Sequence, residues 1–251
     1  MGDKQGHADI AYQAVTVAPV DIEHAVVNLL RFHDAETAIL FCATRDAVRR
    51  LHGSLAERGF KAVALSGEHS QNERNSALQA LRDQRARVCV ATDVAARGLD
   101  LPSVSLVVHV ELPRDAEALQ HRSGRTGRAG RKGTAVLIVP HKARRRVEMM
   151  LKNARIETEW MPAPTADDIR AKDRDRLFAQ LAMPADPEDD DLELAKALTD
   201  ALTPEAMALA LAKALKSDLP AAEDILPQGA REERGTTPGR DPGSRARPGS
   251  G

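Results

Sequence analysis

The sequence predicts a three-layer α/β domain on a mostly parallel sheet, followed by an α-helical extension and a disordered tail. Six apolar runs between residues 12 and 139 barely alternate with polar residues, the pattern of strands covered on both faces. Amphipathic stretches of helical period lie between them, and strand–helix alternation is the signature of a parallel sheet with crossover helices. From Gln228 onward the chain has no aliphatic side chain beyond alanine and is dense in Gly, Pro and Arg. Such a segment cannot bury enough surface to offset its ordering entropy.

The strand-like runs are YQAVTV (12–17), TAILFCA (37–43), KAVALS (61–66), RVCVAT (87–92), SLVVHV (105–110) and TAVLIV (134–139). Helical periodicity falls at about 20–33, 44–58, 70–83 and 115–122. Ser70 and Glu73 stand at the spacing of a capping box, in which hydroxyl and carboxylate each satisfy an amide of the first turn. A further helix is expected over 142–153, opening on the basic run KARRR. Thr165 with Asp168 opens another, running to about 183. PADPEDDD (184–191) reads as a hinge, and helices at about 190–202 and 204–217 follow, parted at Thr203-Pro204. The expected organisation is a linker at 1–10, the α/β domain at 11–155, a linker and helix at 156–189, a helical module at 190–225 and the tail at 226–251.

Composition narrows the class. The chain of 251 residues is 42% apolar and 29% charged, an ordinary balance for a folded domain of this length. It has no run of eighteen apolar residues and no basic N-terminal region leading into an apolar one, so a cytoplasmic location is expected. Cys42 and Cys89 each sit in a strand-like run and read as buried free thiols. Residues 1–150 hold 22 Lys and Arg against 17 Asp and Glu, whereas residues 185–225 hold 3 against 11. A polyanion partner therefore suits the first part only. Aromatic residues make up 2% of the chain, which disfavours recognition of single strands by base stacking.

Three motifs converge at the strand ends. ATDVAARGLD (91–100) follows a buried strand directly, which puts it at the carboxyl edge of the sheet, where open α/β folds bind ligands. SGEHSQNER (66–74) ends one strand and begins a helix. HRSGRTGR (121–128) follows the next strand and helix and is expected at the same edge. Thr92, Arg74, Gly98 and helix-end amides could there hold phosphodiesters without reading bases.

In this order and spacing, AILFCATR, QNER, ATDVAARGLD and HRSGRTGR resemble motifs IV, IVa, V and VI of the DEAD-box RNA helicases, over residues 12 to about 150. The resemblance implies the second RecA-like lobe of that family, of the bacterial cold-shock and ribosome-assembly type. It implies that Arg125 and Arg128 are arginine fingers on the γ-phosphate of ATP, that Asp100 accepts from the ribose hydroxyl, and that His121 faces a partner lobe. Thr44, Arg74, Thr92 and Gly98 would line the RNA backbone. Ser123, where the family usually has an aliphatic residue, and Leu119-Gln120, where it usually has an aromatic–aliphatic pair, depart from the pattern. ATP with its magnesium would be held mainly on a first lobe bearing GxxxxGK[ST] and DEAD sequences, and neither occurs here. GRAGRKGT (127–134) is out of register for the phosphate loop, and PEDDD follows a proline hinge rather than a buried strand. The expectation is half of an ATP-dependent helicase, inactive alone.

Two other classes stay open: a DNA helicase of the same superfamily, which QNER with ATDVAARGLD disfavours, and a non-catalytic RNA-binding, self-associating adaptor. Asp93 reads as a structural acceptor rather than half of a carboxylate pair with Asp100. His52, His69 and His109 lack ligand spacing, and no metal site is expected. KARRR is either a solvated helix face or an extension of the RNA footprint. Leu194, Leu198 and Leu202, then Met207, Leu211 and Leu215, form apolar stripes. These would pair with a second copy or fold back on the lobe, and a homodimer through residues 190–217 is the expectation.

Overall fold

The computed structural model describes residues 9–97, 101, 104–127, 130–183, 187–216 and 220–225. Seven strands form one parallel sheet: β1 (Ile10–Val17), β2 (Thr37–Cys42), β3 (Ala62–Leu65), β4 (Val88–Thr92), β5 (Val104–His109), β6 (Gly133–Pro140) and β7 (Glu159–Pro162). Their order across the sheet is β3-β4-β2-β5-β6-β1-β7. All six expected strands are present. The seventh was not expected: Gln13 to Thr16 of β1 pair with Glu159 to Pro162, so the sheet continues beyond residue 155 into the segment read as a linker. Its four residues are exposed or half-buried, so no apolar run announces it.

The helices are α1 (Ile22–His33), α2 (Arg45–Glu57), α3 (Gln71–Arg82), α4 (Asp93–Ala96), α5 (Ala116–Ser123), α6 (Arg144–Asn153), α7 (Ala166–Leu181), α8 (Asp189–Ala201) and α9 (Pro204–Lys216). Successive strand residues point to opposite faces, and each face has its own core. On one face Val15, Ala38, Leu40, Val90, Leu106, Val108, Val136 and Ile138 pack under α1 and α2. On the other, Ile39, Phe41, Cys89, Ala91, Val107, Ala135 and Leu137 pack under α3, α4, α5 and α6. This double coverage explains the unbroken apolar runs.

Local signals fix the helix starts as expected. Ser70 Oγ accepts from Glu73 N–H while Glu73 Oε2 accepts from Ser70 N–H at 2.7 Å, the capping box. Thr165 and Asp168 repeat it on α7, and Thr203 Oγ1 accepts from Ala206 N–H ahead of Pro204. The stretch 165–183 is not a free linker helix, because α7 docks on α1. Arg31 meets Asp173 at 2.6 Å, and Arg176 donates to the carbonyl of Phe32 at 2.6 Å and to that of Arg31 at 3.0 Å. α8 has no buried residue, and Leu194, Leu198, Leu202 and Leu211 are exposed. Among the described residues no helix is long and apolar enough to cross a membrane.

Cys42 and Cys89 are buried free thiols, and burial pushes each up to about 12. A raised native value adds stability below the unfolded thiol value of 9.0, and that contribution is lost as pH climbs from there toward about 12. At pH 8.5 both thiols should resist Ellman's reagent in native protein and react fully in guanidinium. Rapid native reaction of either one would contradict the packing.

Candidate functional site

The strand order puts β3, β4 and β2 side by side, so the helices that follow them begin side by side at the carboxyl edge. Each start is capped by a hydroxyl. Thr44 Oγ1 accepts from Ala47 N–H at 3.1 Å, Ser70 Oγ from Glu73 N–H at 3.3 Å, and Thr92 Oγ1 from Ala95 N–H at 3.4 Å. A helix start leaves several amides without partners, and one cap satisfies only one of them, so such ends attract anions. The three ends are not equivalent. Hydrogen bonds from the Ser70 backbone and side chain hold the Glu73 carboxyl below its usual range, placing an anion on the first turn of α3. The Thr44 start carries Arg45 and Arg49 instead, each within 3.3 Å of Glu68. Arg74 Nη2 donates to Arg97 O at 3.2 Å, tying α3 to the residue that follows α4.

The second part of the site is an open cleft of about 890 Å³ on the α5 side. Its wall includes Asp93, Arg97, Arg114, Glu117, His121, Arg122, Arg125 and Arg146, so five arginines face two carboxylates. Arg122 organises it. Only 5% of its side chain is exposed, and its guanidinium forks onto Asp93, Nε to Oδ1 at 2.5 Å and Nη2 to Oδ2 at 2.7 Å. Nη1 donates to Glu111 O at 2.8 Å, and the guanidinium carbon lies 5.3 Å from the Phe41 ring centre. Below it, Ser123 and His109 are fully buried, with Oγ and Nε2 3.1 Å apart. Burial first, and then the nearby Arg122 charge, lowers His109 to about 3, so it stays neutral.

The described part of HRSGRTGR, residues 121–127, does not lie at one edge, as the sequence suggested it would. α5 starts at the carboxyl edge and runs along the face, so the motif descends with it. His121 and Arg125 line the cleft, whereas Thr126 Oγ1 donates to Val104 O at 2.6 Å at the first residue of β5. Two glycines permit this anchor. Gly127 has φ +66°, and a Cβ at Gly133 would fall 2.0 Å from Thr126 Oγ1.

Of the residues named from the sequence, Thr44, Arg74 and Thr92 fall along the helix-start edge, and His121 and Arg125 in the cleft. Thr92 is largely buried, and its hydroxyl caps α4. Gly98, Asp100 and Arg128 lie outside the described residues, as does the tail at 226–251. Asp93 is the structural acceptor it was read to be. KARRR divides: Arg144 stacks on Trp160 with 4.9 Å between guanidinium carbon and ring centre, and Arg146 lines the cleft. Arg122 was given no role. Its spacing with Leu119 and Ser123 on the inner face of α5 was the available signal.

A parallel sheet of this order, with anion-directed helix starts at one edge and an arginine-lined cleft beside it, has the form of a RecA-like helicase lobe. The model of the helicase conserved C-terminal domain matches residues 21–130. The Escherichia coli ATP-dependent RNA helicase SrmB is 41% identical over 157 residues, 61% of this chain and 35% of that protein. The DeaD helicase of Buchnera aphidicola is 36% identical over 156 residues, 62% of this chain and 26% of that protein. The structure of E. coli SrmB bound to the regulator of ribonuclease activity RraA aligns with TM-score 0.55 and 36% identity, covering 64% of this chain and 93% of that one. S. cerevisiae Dbp5 bound to RNA and ADP BeF3 aligns with TM-score 0.59 and 27% identity, covering 68% of this chain and 48% of that one. The chain belongs to the DEAD-box RNA helicase family and carries its C-terminal lobe. It spans about a quarter to a third of the length of these curated relatives.

Arg122→Lys removes the fork while keeping the charge, so it should destabilise the lobe by about 1–3 kcal/mol. Asp93→Asn should cost at least as much, because it leaves the buried Arg122 guanidinium without its counter-charge. Urea denaturation of the three proteins checks the order. Equal stability of Arg122→Lys and wild type would remove Arg122 as the organiser.

Proposed function

We propose that this lobe grips the sugar-phosphate backbone of RNA along its helix-start edge and supplies arginine fingers to ATP held on a partner lobe, driving local duplex unwinding. The observation that carries the reading is the cleft in which Arg97, Arg122, Arg125 and Arg146 gather beside the α4 start. A cationic excess of this kind fits a polyphosphate. ATP would supply the transferred phosphoryl group, and its magnesium is assigned to the partner lobe. Arg125 and Arg128 would stabilise charge that develops during transfer, an effect of roughly 10³–10⁵ in rate for related fingers. Gly98, Asp100 and His121 would meet the nucleotide and the partner lobe. Thr44, Arg74, Thr92 and Gly98 would follow the RNA.

In a two-lobe enzyme, Arg125→Ala and Arg128→Ala should cut RNA-stimulated ATP hydrolysis at least a hundredfold and change RNA affinity less than threefold. Arg74→Ala should weaken RNA binding by a similar factor for every sequence tested, because backbone contacts carry no base information. Parallel loss of affinity and turnover in the Arg125→Ala enzyme would make that residue a backbone clamp. This chain without its partner lobe is proposed to be inactive, and RNA-dependent phosphate release that disappears in its Arg128→Ala form would overturn that.

We further propose a homodimer through residues 190–217. Two thirteen-residue helices are marginal without tertiary packing, yet Leu194 and Leu198 of α8, and Leu202 just after it, are exposed rather than turned onto the lobe. Light scattering at high micromolar concentration should give a dimer for the full chain and a monomer for Leu194→Glu/Leu198→Glu. A monomeric wild type ends the dimer reading.

A further inference from the structure

Residues 220–225 lie on the face of the sheet opposite the cleft, and their contacts are those of a ligand in a groove. Asn28 sits within the buried stripe of α1, between Val27 and Leu29, and has no exposed surface. A carboxamide in that position is costly unless every polar atom finds a partner. Its Oδ1 accepts from Glu223 N–H at 2.8 Å, and its Nδ2 donates to Glu223 O at 2.8 Å and to Pro164 O at 2.9 Å. Asn28 thus pairs with both backbone groups of one residue, as a neighbouring strand would. Such pairing demands an extended peptide and is indifferent to its side chain.

Selectivity comes from the flanks. Glu223 Oε1 lies 2.6 Å from Arg58 Nε, and Oε2 lies 3.8 Å from His24 Nε2. Arg58 is itself positioned by Ser54, whose backbone and hydroxyl oxygens accept from Nη1 at 3.0 and 2.6 Å. Two residues on, Ile225 packs against the core of the α1–α2 face, while the intervening Asp224 is exposed. The groove therefore reads one extended backbone unit, one carboxylate and one aliphatic side chain.

We propose that the groove between α1 and α2 is a docking site for an extended acidic peptide of the form Glu-x-aliphatic, occupied in the resting chain by residues 220–225. Among the described contacts of residues 220–225 are one residue's paired backbone, one partly exposed ion-pair cluster and the packing of Ile225, few enough to exchange. A partner protein carrying the same chemistry would displace it and release the far end of α8–α9, leaving α7 on α1. The tethered copy competes at an effective concentration on the order of millimolar, so only a segment with better flanking contacts gains entry unaided.

The test uses the full chain and a fluorescent peptide of residues 220–225. Glu223→Ala/Ile225→Asp should free the groove, raise amide hydrogen exchange at residue 223 and bind the peptide at least tenfold more tightly than wild type does. Adding Arg58→Glu should abolish that binding, and a peptide carrying Glu223→Arg should restore it. The proposal fails if the released chain binds no peptide, binds it no better than wild type, or ignores Arg58→Glu. It also fails if residue 223 stays protected in the released chain.

Discussion

The cleft depends on one guanidinium. Arg122 bonds Asp93 just beyond β4 and the Glu111 carbonyl just beyond β5, and it lies against Phe41 on β2. Glu111 adds a second tie, its carboxylate accepting from Ala43 N–H beyond β2 at 2.5 Å. Three adjacent strands therefore have their carboxyl ends held in register by one side chain and its acceptor. Only a planar donor set can fork onto a carboxylate and reach a carbonyl at once, which is why lysine is no substitute. The position is also unforgiving. A guanidinium this buried draws its stability from its partners, and loss of one leaves an uncompensated charge.

From that anchor the rest of α5 follows. Leu119 faces the core, Ser123 meets His109, and Thr126 reaches the start of β5. Arg125 lies between two fixed points, with its backbone N–H donating to Arg122 O at 3.2 Å and that of Thr126 to Ser123 O at 3.0 Å. Its backbone is thereby preset. For a group proposed to act on charge that appears briefly, a preset donor avoids reorganisation at the moment of reaction. Ser123 gives the buried His109 a polar partner where an aliphatic side chain would give none.

The six apolar strands and the helices with capping signals were legible because burial on both faces and first-turn hydrogen bonds both write themselves into local sequence. β7 was not legible, since its residues, with the charged Glu159 and with Pro162, form no apolar run, unlike the equally short edge strand β3. The docking of α7 escaped for a different reason. Its contacts run through Asp173 and Arg176, which in sequence look like any solvated helix face. Motif spacing brought Thr44, Arg74 and Thr92 to one edge, because strand ends are a property of topology. It misplaced Thr126 of HRSGRTGR, because the direction of α5 along the face is not encoded in spacing. Arg122 was hidden among four similar arginines, distinguished only by phase.

The two parts of the site call for different donors, and α4 belongs to both. Helix-start amides are fixed partial charges, suited to phosphates whose charge stays constant along a polymer. Guanidiniums carry full charge on movable stems, suited to charge that grows. Thr92 caps α4 at the edge, Asp93 on its first turn holds Arg122, and Arg97 just after it receives Arg74 from α3. Five residues thus join the proposed RNA path to the residue that sets the cleft. A shift of α4 by a fraction of an ångström would alter the Arg74 contact and the Arg122 fork together, since well-packed elements move as units. On the proposed reading, this short helix lets the lobe present its arginines in step with its grip on the backbone.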